Sequence, residues 1–130
     1  MTTTKPKFSA EVIRRIHEDR ILGLRAGTDS KHRVIGIWAV VVDGRVFVRS
    51  NQLKPGGWWR TLVDDPHGQM YLYRRKRGIN VRAVQVKSET MKDKVSAAYR
   101  EKYNTPGSVQ YVKEMSRNPS KDTTMELLAV

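Results

Sequence analysis

Residues 34–42, Val-Ile-Gly-Ile-Trp-Ala-Val-Val-Val, form a continuous apolar run that breaks at Asp43-Gly44 and resumes as the alternating Arg45-Val46-Phe47-Val48-Arg49-Ser50. This pattern predicts a β-hairpin. Asp-Gly suits a two-residue turn whose central positions need positive φ, and β-branched residues on both sides suit a pleated surface. The unbroken half reads as a strand covered on both faces, and the alternating half as one with a more polar side. Directly after it, Asn51-Gln52-Leu53-Lys54-Pro55-Gly56-Gly57-Trp58-Trp59-Arg60 sets a cationic, Gly-rich segment and two indoles where a ligand rim could form.

A chain of 130 residues is most simply one domain spanning 1–130, with residues 1–7 expected as a flexible N-terminal stretch. It contains no cysteine, which excludes disulfides, thiolate metal sites and a cysteine nucleophile. No apolar stretch approaches the roughly 18 residues of a membrane helix, and residues 1–7 lack the apolar core of a signal peptide, so the expected location is the cytoplasm, away from membranes. The 25 lysines and arginines exceed the 13 acidic residues, for a net charge of +12, which favours phosphate-bearing partners without naming one.

Along the chain, Ser9 caps a helix with Glu11 in its first turn, Phe8 can staple onto Ile13, and Val12, Ile13 and Ile16 form its apolar stripe until a stop near Gly23. A first strand is expected at 24–28, then a turn at 29–32. After the hairpin come a short helix at 57–63, a turn at 64–68, and a second hairpin of strands 69–73 and 79–87 with the basic cluster 74–77 at its tip. A shift in alternation at Val84 and Val86 suggests a bulge. Thr90-Met91-Lys92-Asp93 has capping-box form and opens a second helix, in which Met91, Val95, Ala98, Tyr99 and Tyr103 share a face until residues 104–107 stop it. A helical turn at 109–115, a turn at 118–120 and a last strand at 123–130 follow. These elements describe an α+β domain on an antiparallel sheet, and so many short strands favour closure into a barrel, which removes exposed edges.

The order of motifs carries a resemblance that covers residues 8–128: an N-terminal helix, Arg33 before an apolar strand with Trp38, the Asp-Gly hairpin, a strand ending Val48-Arg49-Ser50, then Trp58-Trp59-Arg60 and the late helix containing Ala98-Tyr99-Arg100-Glu101-Lys102-Tyr103. It resembles a family of uncharacterised bacterial domains related to the flavin-binding split β-barrels, among them pyridoxamine-phosphate oxidase and the deazaflavin-dependent reductases. The resemblance implies a six-stranded antiparallel split β-barrel with an N-terminal helix and a late inserted helix. It also implies a homodimer with FMN or a deazaflavin at the subunit interface. By the same resemblance Arg33, Ser50 and Lys54 are phosphate contacts, and Trp59 and Arg60 lie near the same cleft. Residues 28–33 depart from the Gly-Arg-x-Ser-Gly pattern of the deazaflavin reductases.

The chemistry of Arg33, Ser50, Lys54 and Arg60 suits a phosphate, although the same residues serve equally as solvated surface charges. Trp38 reads as packing or as part of a dimer interface. Trp58 and Trp59 point about 100° apart on a helix, so at most one faces a ligand, and Trp59 is the choice. The cluster Arg74–Arg77 could hold nucleic acid or an acidic partner, yet aromatics do not interleave with it, and a polar hairpin tip explains it more simply. His17, His32 and His67 show no metal-ligand spacing, and no nucleophile elbow or paired catalytic carboxylates occur. A flavin- or deazaflavin-binding protein, with oxidoreductase activity or none, is the leading expectation. A basic binding module and a cofactor-free dimer with a structural or interaction role stand as alternatives.

Overall fold

The computed structural model describes residues 6–28, 32–50, 57–73 and 76–130. Helix α1 (Ala10–Glu18) begins where expected, with Ser9 Oγ accepting the Val12 N–H at 3.2 Å and Glu11 in the first turn. It stops at Asp19, before Gly23, because Leu22, Leu24 and Ala26 are drawn into the interior as strand β1 (Leu22–Ala26). The chain continues through β2 (Ile35–Ile37), β3 (Ala39–Val42), β4 (Arg45–Val48), α2 (Trp58–Asp64), β5 (His67–Tyr71), β6 (Ile79–Gln85), α3 (Glu89–Lys102), α4 (Pro106–Met115), a 3₁₀ turn at Ser120–Thr123 and β7 (Met125–Ala129).

All strand pairs are antiparallel, in the order β2-β1-β5-β6-β7-β4-β3. The two edge strands of this order are consecutive in the chain, separated by Trp38 alone. What the sequence suggested as one strand is therefore two: β2 pairs with β1, and β3 with β4. Trp38 links the sheet's ends, and the barrel is nearly closed. Among the described residues seven strands stand where six were expected, because a twisted sheet closes by letting one stretch of chain change partners at a corner.

That corner leaves backbone groups outside the ladder, and α3 supplies their partners. Tyr99 Oη donates to Trp38 O at 2.9 Å, the Ala39 N–H donates to Tyr103 Oη at 3.2 Å, and Lys102 Nζ donates to Ala39 O and to Ile16 O of α1, each at 2.7 Å. Orphan carbonyls at the end of α1 and at the strand break thus share one ammonium.

Side chains from the inner face of the strands, among them Leu24, Ala39, Val46, Val48, Met70, Val81 and Leu127, fill the barrel together with Ile16 and Leu62 from α1 and α2. A second cluster lies outside it, where Val40 and Phe47 meet Val95, Tyr99 and Tyr103 of α3 and Val112 and Met115 of α4. This covering overturns the expected polar side of β4: Val46, Phe47, Val48, Arg49 and Ser50 are all buried, and Arg45 alone of the strand emerges. Conversely Val34 and Ile35, read as covered, are exposed.

The Asp43-Gly44 turn has the expected positive φ at both positions, +53° and +73°. The predicted bulge in β6 does not occur, since pairing with β7 runs unbroken from Val81 to Gln85; Val84 turns outward and the smaller Ala83 takes the inner position. The cap of α3 is Ser88, whose Oγ accepts from Met91 N–H at 3.2 Å, and not Thr90. α3 ends before residues 104–107 as expected, and α4 starts earlier than the expected 109, with Pro106 in its first turn, where a missing N–H costs nothing. Among the described residues no helix is long and apolar enough to cross a membrane.

Candidate functional site

The corner at Trp38 opens onto a cleft of about 320 Å³. It is lined by Ile35, Gly36 and Trp38 from the corner, Trp58 of α2, Tyr111 of α4, and Arg49 and Ser50 after β4. Trp38 and Tyr111 are held by ring contacts, and Trp58 packs against the barrel core. Trp38 stacks on Tyr103 at 4.2 Å between centroids and 6° between planes, while Tyr111 stands edge-on to Trp38 at 6.2 Å. Burial pushes the Tyr103 phenol up to about 12 and, with Tyr103 beside it, raises that of Tyr99 as well, so both stay protonated and act as packing and hydrogen-bonding groups rather than acids.

Arg49 is 3% exposed. Its Nε donates to Thr124 Oγ1 at 2.7 Å, Nη1 to Ser96 Oγ and Met115 O at 2.8 Å each, and Nη2 to Lys92 O at 2.7 Å. These acceptors are neutral hydroxyls and carbonyls. They hold the guanidinium firmly without cancelling its charge, and burial pulls its pKa below the usual arginine value. Next to it, the Ser50 backbone is clamped by the turn before β7: its N–H donates to Thr123 Oγ1 at 2.9 Å and its carbonyl accepts from Ser120 Oγ at 2.7 Å. A rigid positive group among aromatics can bind a planar group that carries negative charge.

Of the residues singled out in the sequence, Ser50 lines the cleft. Trp59 is half-buried against the barrel core, its Nε1–H donating to Thr123 O at 3.0 Å, and so buttresses the turn that clamps Ser50. Arg60 is exposed, its guanidinium 5.7 Å from the Trp59 ring centre. Arg33 is exposed two positions before the cleft residue Ile35. Lys54 lies outside the described residues. In the basic cluster Arg74 and Arg75 also lie outside them, and Lys76 and Arg77 are exposed. Among the described residues no group of three or more His, Asp or Glu could hold a metal ion; His32 instead pairs with Thr61 Oγ1 at 2.9 Å and His67 with Asp65.

Sequence reasoning passed over Arg49 and Tyr111 and preferred Trp59 to Trp58. A clue to Arg49 existed: it shares its strand face with Phe47, so a covered Phe47 implies a covered arginine. Tyr111 stands on a stretch read as one helical turn, and nothing local distinguishes it.

No curated protein sequence matches the chain. Several solved structures share its fold. The crystal structure of the conserved hypothetical protein Rv2991 from Mycobacterium tuberculosis superposes with a TM-score of 0.61 at 20% identity, covering 97% of this chain and 81% of that one. A FAD-binding protein from Mesorhizobium loti gives 0.60 at 12% identity over 95% of this chain and 91% of that one. The heme storage protein HutZ from Vibrio cholerae gives 0.61 at 17% over 95% and 89%. The likeness places the nearly closed barrel among the split-barrel proteins. Residues 11–127 match the family described as "Uncharacterized protein conserved in bacteria (DUF2255)", and the chain belongs to it.

Proposed function

We propose that the protein is a cytoplasmic homodimer that binds a flavin or a deazaflavin in the Trp38–Arg49 cleft, and that any chemistry it performs is hydride or electron transfer. The observation that carries the reading is the meeting of the aromatics Trp38, Trp58 and Tyr111 with a buried arginine that no carboxylate of the described residues hydrogen-bonds. The indoles offer flat faces to a ring system. Arg49 and Ser50 supply the positive lining that a phosphate or an anionic ring requires. In this reading Arg33, Lys54 and Arg60 bind the anionic tail, and Trp59 acts from behind by supporting the turn that clamps Ser50. A bound flavin supplies the redox chemistry, while the chain's residues bind it, orient it and exclude water.

Support for the dimer comes from the apolar surface beside the cleft. Ile21, Val34 and Ile35 are exposed, and the first two lie over glycines: a Cβ on Gly36 would stand 2.8 Å from Ile21 Cγ2, and one on Gly23 3.1 Å from Val34 Cγ1. A flat apolar patch that continues into a cleft suits a second copy that completes it.

Titration of the purified protein with FMN, FAD and a deazaflavin, followed by cofactor fluorescence, tests the reading. Saturable quenching is expected, weakened about three- to tenfold by Trp58→Ala through lost stacking. The absence of a saturable change with all of these cofactors rejects it.

A further inference from the structure

A larger cavity, of about 470 Å³, lies between α3 and α4 and shares no lining residue with the first cleft. Helix α4 walls both. Tyr103, Val109 and Val112 supply its apolar surface and Arg100, Lys113 and Arg117 its charge. The Tyr103 hydroxyl is already committed to Arg20 O at 2.6 Å, and Val109 remains 40% exposed beside the buried Val112. The helix pair thus leaves carbon surface open to solvent where it could have been closed.

Part of the chain's positive charge is neutralised within it. Arg14, Arg45, Lys92 and Lys121 each pair with a carboxylate, at 2.7–3.0 Å. Arg100, Lys113 and Arg117 form no ion pair with a described residue, although Glu101 and Glu114 stand on the same helices. Asp93, whose field reaches Arg100, is held by Lys121 at 2.7 Å. Arg117 Nε donates to the backbone Lys113 O at 3.3 Å, which holds the guanidinium against α4, where Lys113 also lines the cavity. Like charges gathered around an apolar cavity repel one another, and an anion entering among them relieves that repulsion.

We propose that this cavity binds an aliphatic carboxylate, with its chain on Tyr103, Val109 and Val112 and its head group among Arg100, Lys113 and Arg117. Both halves of the ligand are required by the lining. A free inorganic anion leaves the valines wet, and a neutral alkane or alcohol leaves the cations unpaired. The volume lies within the range of small-molecule sites, and the planar forks of the arginines match a carboxylate.

Calorimetric titration of the full chain with hexanoate, octanoate, 1-octanol and inorganic phosphate decides the matter. Octanoate is expected to saturate, with affinity rising about fourfold per added methylene from hexanoate, and to weaken with salt. Octanol and phosphate should each bind at least tenfold more weakly. Lys113→Glu/Arg117→Glu, confined to exposed side chains, should cost at least tenfold, and Trp58→Ala in the other cleft nothing. Val109→Asp, also at an exposed position, places an anion in the apolar lining and should abolish binding independently. The proposal is overturned by no saturation with octanoate, by equal affinity for hexanoate and octanoate, by phosphate binding as tightly, or by indifference to both variants. Octanoate failing while an acidic peptide binds the parent and not the double variant overturns it too, and makes the surface a peptide-docking one.

Discussion

Arg49 carries a buried charge held by hydroxyls and carbonyls from α3, α4 and Thr124 at the end of the 3₁₀ turn, and so joins three elements through one side chain. Removing it leaves Met115 O and the Ser96 and Thr124 hydroxyls without this donor in a dry site. Arg49→Met should therefore cost about 2–4 kcal/mol of stability, read as a lower urea midpoint at unchanged slope. Arg49→Lys keeps the charge but not the planar fork, and should recover only part of the loss. A variant as stable as the parent would show that the hydroxyls and carbonyls re-pair elsewhere. The residue also marks a limit of pattern reading. Arg45 and Arg49 look like the polar side of a half-exposed strand, but the covering by α3 and α4 is a tertiary fact, visible in sequence only through Phe47 between them. Trp58 and Trp59 show the same limit: the 100° argument correctly separates them, but which one faces the cleft depends on Thr123 O, a partner 64 positions away from Trp59.

At the scale of elements, α3 makes the barrel's corner possible. Tyr99, Lys102 and Tyr103 sit on one helix face and satisfy the backbone at Trp38 and Ala39, where the chain leaves one partner strand for another. Lys102→Met retains the stem's bulk and removes the donor to Ile16 O and Ala39 O, and should cost about 1–3 kcal/mol. Desolvation lowers the Lys102 ammonium to about 8. The folded state then holds fewer protons than the unfolded one between that value and the ordinary lysine value near 10.5, so this group's contribution to stability rises with pH across the window and is lost as pH falls through about 8. Urea midpoints measured from pH 8 to pH 10 should rise relative to those of Lys102→Met, which shares the tyrosine titration of the parent. Parallel curves for parent and variant contradict this assignment. The Asp-Gly turn, the Ser9 cap and the helical face of α3 were readable because each is local in sequence. The break at Trp38 was not, since apolar β-branched residues on both sides read as one strand whichever partner each half takes.

For the molecule as a whole, the α+β class, the antiparallel pairing and barrel closure follow from the spacing of strands and turns, whereas closure through a single residue and the cleft it opens arise only once the two sheet edges meet. The cleft sits beside exposed Val34, Ile35 and Ile21, and Ile35 belongs to both cleft and patch. If a second copy covers this patch, Ile35→Lys buries a charge at the symmetric contact, at a cost of several kcal/mol. Sedimentation should then show a dimeric parent and a monomeric variant with the same far-UV dichroism, since Ile35 is 38% exposed within one chain and little of the fold depends on it. Flavin affinity should fall together with the dimer, because each cleft would lose the wall its partner supplies. A monomeric parent refutes the dimer. A variant that dissociates yet binds flavin as before refutes the shared cleft alone and leaves Trp38, Trp58, Tyr111 and Arg49 as a site complete within one chain.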